Sequence, residues 1–183
     1  MTDDGTITLY HGTIHDFTAV DVRKGKPFKD FGQGFYASQS RESAVNMALR
    51  NRDIELRRLA RRGITREVTP WLHTFVLESA RLGALKVKRF HEVDKEWVRF
   101  VVSNRTNETP QHDYDIVVGA TANDVTSRTA QLYLAGEYGD VGSDEAVSFF
   151  LRRIQPERLP RQFFFGTQRA ADLLVRKGRH EAL

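Results

Sequence analysis

The first half of the chain has two kinds of periodicity, one typical of strands and the other typical of a helix. Residues 6–10 alternate polar and apolar side chains among good β-formers, which predicts a strand that ends at residues 11–13. Residues 34–37 predict a short second strand. Apolar residues then recur at helical spacing from 41 to 63, and Ser40 is placed to cap the predicted helix at its N-terminus.

The second half of the chain continues this mixture. Apolar runs predict further strands at residues 71–77, 85–90, 114–119 and 162–165. Helical spacing predicts helices at residues 92–102, 125–134, 143–154 and 167–175. Strands at both ends with helices between them predict an α+β fold. No repeat, linker or low-complexity block interrupts the pattern, so we expect one domain over residues 1–183.

Composition supports a folded domain and excludes several kinds of chemistry. Of the 183 residues, 40% are hydrophobic and 28% are charged, which suits a globular protein. No apolar run approaches the roughly 20 residues that cross a bilayer. The acidic N-terminus lacks signal-peptide features, so we expect a cytoplasmic protein without membrane contact. Cysteine is absent, which excludes disulfides and thiol nucleophiles, and the histidines lack metal-site spacing, so we expect no metal.

The net charge of +4 owes much to the interval between residues 50 and 66. Seven arginines there outnumber Asp53 and Glu55, and they are Arg50, Arg52, Arg57, Arg58, Arg61, Arg62 and Arg66. A helix that carries them either meets phosphates or an acidic partner, or is simply solvated. No aromatic residue interrupts the run, which argues against base stacking by this helix.

Three separated segments combine residues that suit nucleotide binding. His11 lies at the end of the first strand and is followed by Gly12, which lets a ligand approach the backbone closely. Residues 30–38 are Asp-Phe-Gly-Gln-Gly-Phe-Tyr-Ala-Ser, with two glycines before a pair of aromatic residues. Gln162 is a polar residue at the start of an apolar strand. Each segment alone is nonspecific, and their order along the chain carries the interpretation.

These segments resemble the three motifs of the ADP-ribosyltransferase superfamily, in the histidine–tyrosine–glutamate branch of diphtheria-like toxins and poly(ADP-ribose) polymerases. His11-Gly12-Thr13 matches its strand-borne His-Gly-Ser/Thr, and residues 32–37 are similar to its Gly-x-Gly-aliphatic-Tyr-Phe-Ala segment. Most of the chain also resembles an uncharacterised bacterial family of transferase-like proteins suspected of being toxins, with residues 104–105, 114–119 and 122–124 among the matching stretches. The resemblance implies two small β-sheets packed around an NAD+ cleft, with flanking helices.

The resemblance also implies roles for particular residues. Tyr36 would stack on nicotinamide, and Gly12 would bond the carboxamide through its backbone. His11 would bond the adenosine-side ribose or orient the nicotinamide half. The other implied NAD+ contacts are Thr13, Phe35, Ser43, Asn104 and Arg105, of which the last two suit a helix end equally well.

Position 162 departs from the resemblance, since active transferases commonly have glutamate there and this chain has glutamine. An amide brings no full negative charge to the positive charge that develops as nicotinamide leaves, a loss of about 10²–10³ in rate. Either another carboxylate substitutes, or catalysis is slow, or the protein binds NAD+ without transfer. The candidate substitutes are Asp124 and Glu157, and Asp124 is favoured because it follows the buried strand at 114–119.

The leading hypothesis is an NAD+-dependent mono-ADP-ribosyltransferase with His11, Tyr36, Gln162 and Asp124 as catalytic residues. It would act as a bacterial toxin or stress effector on a protein or nucleic acid, under the control of an antitoxin partner. The alternative is a catalytically silent module that binds NAD+, another nucleotide or RNA on the same fold. A third possibility is a relative that removes a 2′-phosphate from RNA with NAD+, although that family's paired basic and histidine signatures are not evident in the sequence.

Overall fold

The computed structural model describes residues 5–121, 124–154 and 159–183, except for the side chains of 124, 125 and 127. The strands are β1 (Thr6–Thr13), β2 (Phe35–Ser38), β3 (Trp71–Glu78), β4 (Val87–Arg89), β5 (Ile116–Ala120), β6 (Arg161–Phe165), β7 (Val175–Arg176) and β8 (Glu181–Ala182). The α-helices are α1 (Arg41–Ala60), α2 (Lys95–Thr106), α3 (Asp124–Leu134), α4 (Asp144–Ile154) and α5 (Gln168–Ala171). No helix in the described ranges has the length and apolar character to span a bilayer.

One mixed sheet forms the centre of the molecule, with the strand order β4-β5-β6-β2-β1-β3-β7 and with β8 paired to β3. The α+β class is confirmed, whereas the expectation of two separate sheets is wrong. The physical reason lies at the middle of the sheet, where β1 and β2 share the register pair Tyr10↔Ser38. This pair joins β4-β5-β6-β2 to β1-β3-β7 in a single sheet.

Side-chain caps and strand pairing set the ends of the early elements. β1 extends to Thr13 because its last residues continue the ladder with β3, where Thr13 pairs with Trp71. Ser40 caps α1 as predicted, since its Oγ accepts a 3.1 Å hydrogen bond from the backbone N–H of Ser43. Helix α2 begins at Lys95 rather than at 92, because Asp94 caps it by accepting a 2.9 Å bond from Trp97 N.

The two faces of the sheet carry separate apolar clusters. One face packs Phe35, Phe75 and Phe165 with Ala170 and Ala171 of α5. The opposite face packs Val117 and Phe164 with the apolar sides of α2, α3 and α4. Helix α1 packs on the same face as α2, α3 and α4, but over β1 and β3. Strand β2 therefore lies between α1 and the group formed by α2, α3 and α4.

The C-terminal segment differs most from its prediction. The helix predicted at 167–175 ends at Ala171, and β7 and β8 then follow the edge of β3. Arg176 accounts for much of the change, since it donates to Phe17 O at 2.6 Å and to His73 Nδ1 at 2.7 Å. These partners are distant in sequence, and local periodicity contains no information about them.

Candidate functional site

His11 is partly exposed as a whole residue, but its imidazole group is buried and joins β1 to β2. Its Nδ1 lies 2.6 Å from the carbonyl oxygen of Tyr36, and its ring lies 4.5 Å from that of Phe35. A carbonyl oxygen only accepts, so Nδ1 carries the proton. Burial is the main cause that lowers the pKa of His11 to about 4, and nearby His73 lowers it further. His11 is therefore neutral near pH 7, and its second ring nitrogen is a hydrogen-bond acceptor.

The phenol of Tyr36 leaves the sheet on the opposite face from the His11 ring. It packs 5.1 Å from the ring of Phe164, and its hydroxyl donates to Gly32 O at 2.7 Å and accepts from Phe31 N at 3.0 Å. Burial, and then the charge of Asp30, raise the pKa of Tyr36 well above its ordinary value. The expected shared position of the two rings is not observed, and the residues meet through the Tyr36 carbonyl.

A row of backbone pairs connects the strands that carry the predicted residues. Tyr10 pairs with Ser38, Ser38 with Gln162, and Gln162 with Gly119. Beyond Ser38, the register described for β1 and β2 contains no further pair, so the end of β1 faces β2 across a gap that the His11 bond bridges. A strand edge of this kind offers backbone N–H and C=O groups to a ligand. Alternation places Gly12, Tyr36 and Gln162 on the same face of the sheet around this gap.

A buried polar cluster adjoins Gln162 on the Tyr36 face. The Gln162 amide donates to Asp30 Oδ2 at 2.9 Å, and Arg105 Nε donates to Asp30 Oδ1 at 2.7 Å. Asp30 is only 6% exposed, and the side chain of Arg105 is 20% exposed. The tertiary structure thus brings a carboxylate next to position 162 from a residue 132 positions away. Sequence reasoning quoted Asp30 as the start of a motif but assigned it no role.

The remaining residues predicted near His11 and Tyr36 have specific structural neighbours. A Cβ at Gly12 would lie 1.7 Å from the carbonyl oxygen of Ala44, so glycine is required for α1 to approach β1. Thr13 is buried and accepts a 3.2 Å bond from His15 N. Phe35 belongs to the cluster on the far face of the sheet. Ser43 is half-buried in the first turn of α1.

Asn104 and Arg105 lie side by side in α2 but have different surroundings. Asn104 is buried, donates to Phe100 O at 2.9 Å and accepts from Gln111 N at 3.0 Å, so its amide orders the loop after α2. Arg105 instead reaches Asp30. Of the two predicted substitute carboxylates, Glu157 lies outside the described residues. Asp124 begins α3, but its side chain is among those that are not described.

A second cluster of titratable groups lies where Asp16, His73 and His180 approach one another within 4.8 Å. Both nitrogens of His73 already have partners, because Arg176 donates to Nδ1 at 2.7 Å and Nε2 lies 3.3 Å from His15 O. If a neutral His73 bound a metal through Nε2, its proton would be on Nδ1. The Nδ1–H group would then point at an N–H group of Arg176, so two donors would face each other. The donor set therefore does not suit a cation.

Comparison with known proteins adds one finding about the family. A family model described as "Protein of unknown function (DUF3990)" matches residues 7–175, which span β1 to the start of β7. No curated protein and no solved structure matches the chain.

Proposed function

We propose, from the premise that this chain belongs to the DUF3990 family, that it is an NAD+-dependent mono-ADP-ribosyltransferase. The observation that carries the proposal is the carboxylate of Asp30, which contacts the Gln162 amide at 2.9 Å on the same face as Tyr36. Glutamine at position 162, where active transferases commonly have glutamate, is the main argument against transferase activity. Asp30 answers it, because its carboxylate lies one hydrogen bond from residue 162 through Oδ2, while Arg105 contacts the other oxygen, Oδ1.

Transfer of ADP-ribose needs a negative group beside the ribose. The bond between ribose C1′ and nicotinamide breaks, and its electron pair leaves with nicotinamide. An acceptor N–H or O–H then bonds to C1′ and releases its proton to a base or to water. Positive charge develops on the ribose during this step, and a fixed carboxylate stabilises it. In the proposed site, Asp30 supplies that charge and Gln162 bonds a ribose hydroxyl.

The other residues have binding or positioning roles in this proposal. Tyr36 supplies an aromatic surface for nicotinamide, and the end of β1 at Gly12 supplies backbone groups for the carboxamide. His11 is a positioning residue, since its bond to the Tyr36 carbonyl sets the distance between β1 and β2. Arg105 fixes Asp30 in place and is exposed enough to contact a phosphate.

The test compares Asp30→Asn with Asp115→Asn, a matched loss of a buried carboxylate that contacts an arginine. Asp115 lies away from Gln162 and accepts from Arg169 Nε at 2.8 Å. The assay follows nicotinamide release and transfer of label from NAD+ radiolabelled in its adenylate phosphate. We expect Asp30→Asn to lower kcat by about 100-fold at little change in KM, and Asp115→Asn to lower only stability. The proposal fails if the wild type consumes no NAD+ or if Asp30→Asn consumes it at the wild-type rate.

The toxin role has its own readout in cells. Expression of the wild type in bacteria should arrest growth, and the Tyr36→Ala variant, at equal soluble level, should not. Equal growth of the two strains, with label transfer intact in the purified wild type, contradicts the toxin role and leaves the transferase proposal standing.

A second function is supported by the same contacts. The Gln162 amide, the Tyr36 hydroxyl and His11 Nδ1 all have partners within the protein, an arrangement that also suits a silent nucleotide-binding module. Calorimetry with NAD+ separates the two functions, because a silent module binds NAD+ without releasing nicotinamide.

A further inference from the structure

The loop before β2 holds a large apolar side chain in water. Phe28 is 51% exposed, and its backbone has φ of 59°, the one positive value among the non-glycine residues in the described ranges. A bulky residue in this left-handed region is strained, and strained positions of this kind cluster at active sites and ligand-binding sites. Neither apolar cluster of the sheet includes Phe28. Packing therefore does not explain why phenylalanine occupies this position.

Positive charge surrounds this phenylalanine. Lys26 and Lys29 lie on either side of it and are exposed. Partial burial of its ammonium group lowers the pKa of Lys29, and the charges of Lys26, Arg105 and Arg50 lower it further against the opposing effect of Asp30. Lys29 therefore lies near Lys26, Arg50 and Arg105, so the loop adjoins the middle of α1 and the end of α2, and three cations act on it against the one carboxylate of Asp30.

The loop also adjoins the candidate site. Asp30, which contacts Gln162, directly follows Lys29, and the Tyr36 hydroxyl bonds the backbone at Phe31 and Gly32. A ligand that contacts Phe28 and Lys29 therefore lies beside the residues assigned to NAD+.

We propose that residues 26–29 bind single-stranded nucleic acid at this edge of the site, with Phe28 stacked on a base and Lys26 and Lys29 on phosphates. The further step, that this nucleic acid is the acceptor of ADP-ribose, rests on the proposed function. The binding of the nucleic acid is independent of that function.

An exposed aromatic ring with cations on either side suits a single-stranded nucleic acid better than other anions. Proteins that bind single strands pair aromatic platforms with a basic track along the backbone. An exposed phenylalanine gains nothing from a free phosphate, and a duplex keeps its bases stacked on each other. The basic residues continue along α1 and just past its C-terminus, where Arg57, Arg61 and Arg62 are exposed and have no carboxylate partner in the part of the chain that the structure describes.

The experiment measures fluorescence anisotropy of a labelled uridine oligonucleotide of about 12 residues with the full chain, and of a duplex of the same length. Phe28→Gly removes the ring and permits the observed φ, so the variant is expected to fold at least as well as the wild type. We expect it to bind the single strand about tenfold more weakly, whereas Phe28→Tyr binds as the wild type does. Val141→Ala, at an equally exposed apolar residue (51%), is the matched control.

The lysines are tested by salt dependence. Lys26→Ala and Lys29→Ala should each reduce the slope of log affinity against log salt by about 0.7. The control is Lys177→Ala, next to β7 at the other edge of the sheet, which should weaken binding less. Binding that Phe28→Gly leaves unchanged, or a duplex bound as tightly as the single strand, overturns the proposal. Either result would show that the protein attracts nucleic acid through its positive charge alone, without stacking on Phe28.

The acceptor role is tested separately with radiolabelled NAD+ and the same oligonucleotide. Label on the oligonucleotide from the wild type but not from Phe28→Gly supports it. Consumption of NAD+ with label only on proteins overturns the acceptor role. If no NAD+ is consumed, the proposed function fails and the acceptor role fails with it, while anisotropy still decides the binding proposal.

Discussion

Asp30 is the residue whose chemistry depends most on its tertiary neighbours. Its carboxylate is almost fully buried, and it accepts hydrogen bonds from both Gln162 and Arg105. A buried carboxylate with two donors holds a fixed position and needs no reorganisation to face a developing positive charge. Because Asp30 is so close, a negative charge added at position 162 should lower the stability of the protein, and a variant can test this.

Gln162→Glu should destabilise the protein rather than improve the site. A glutamate there would face Asp30 at the distance of the present 2.9 Å bond, and two buried carboxylates repel. We expect a loss of about 3 kcal/mol at pH 8. The pair binds a proton more readily when folded than when unfolded, so stability recovers as the pH falls. Urea unfolding at pH 8 and pH 5 measures this.

Gln168→Glu is the matched control for that variant. Gln168 is exposed and donates to Asp172 Oδ1 at 2.7 Å, so a glutamate there also faces an aspartate, but in water. Its effect should stay below about 1 kcal/mol. Equal losses for the two variants would show that Asp30 and Gln162 are not a buried pair in solution.

His11 predicts a dependence of stability on pH. Its pKa is about 4 in the folded state, against an ordinary value of 6.5. Between these two pKa values the unfolded chain binds a proton at His11 and the folded chain does not. The contribution of His11 to the free energy of unfolding is therefore fully present above pH 6.5 and is lost as the pH falls towards 4. Between pH 7.5 and pH 5 the loss is on the order of 2 kcal/mol.

The variant His11→Gln isolates this effect, because glutamine keeps a donor for the Tyr36 carbonyl and does not titrate. Its stability should change less between pH 7.5 and pH 5 than that of the wild type in urea unfolding. His91→Gln, at an exposed histidine, serves as the control and should keep the wild-type dependence. A His11→Gln profile parallel to the wild type would contradict the buried, neutral imidazole.

At the scale of elements, β1 and α1 approach each other closely at Gly12. Gly12 permits it, since the helix backbone occupies the space of a side chain at this position. The contact sets the position of α1 against the sheet and so forms one side of the region around Tyr36. The glycine is thus required by packing, whatever ligand its backbone meets.

Gly12→Ala should cost about 3 kcal/mol or more, because its Cβ would overlap backbone atoms of α1 that cannot move alone. Thermal unfolding of the variant measures the loss. Gly83→Ala is the control, since no atom lies within 4 Å of the Cβ it adds. If both variants unfold at the same temperature as the wild type, the packing of α1 on β1 is not as described.

At the scale of the whole molecule, the C-terminal segment closes the edge of the sheet. β7 and β8 pair with β3, and Arg41 and Glu181 connect α1 to β8 through bonds of 2.8 and 2.9 Å. Arg176 ties the same edge to Phe17 and His73. The segment therefore links elements that are distant in sequence, and it covers a strand edge that would otherwise pair with other chains.

Removal of residues 175–183 should lower Tm by about 5–10 °C and promote aggregation, because it exposes the edge of β3 and removes the Arg176 contacts. Removal of residues 178–183 alone keeps β7 and Arg176 and should cost less. Differential scanning calorimetry and light scattering measure both. Equal melting of the two truncated chains would show that β7 contributes nothing to the edge.

The sequence predicted the strands and helices that local periodicity and caps define. Ser40 and the apolar alternation of β1 are examples, since a cap or an alternating strand is specified by residues a few positions apart. The α+β class followed from the order of these elements. Local patterns also placed His11, Tyr36 and Gln162 on three separate strands, and the structure makes these strands neighbours in the sheet, as β1, β2 and β6.

Only the tertiary structure decided the surroundings of those residues. Which face each ring occupies depends on strand register, and the carboxylate beside Gln162 comes from a loop far away in sequence. The strained Phe28 and the C-terminal strands depend likewise on contacts between distant segments. The physical reason is that periodicity records which side chains are buried, whereas the identity of their neighbours is set when separate segments pack together.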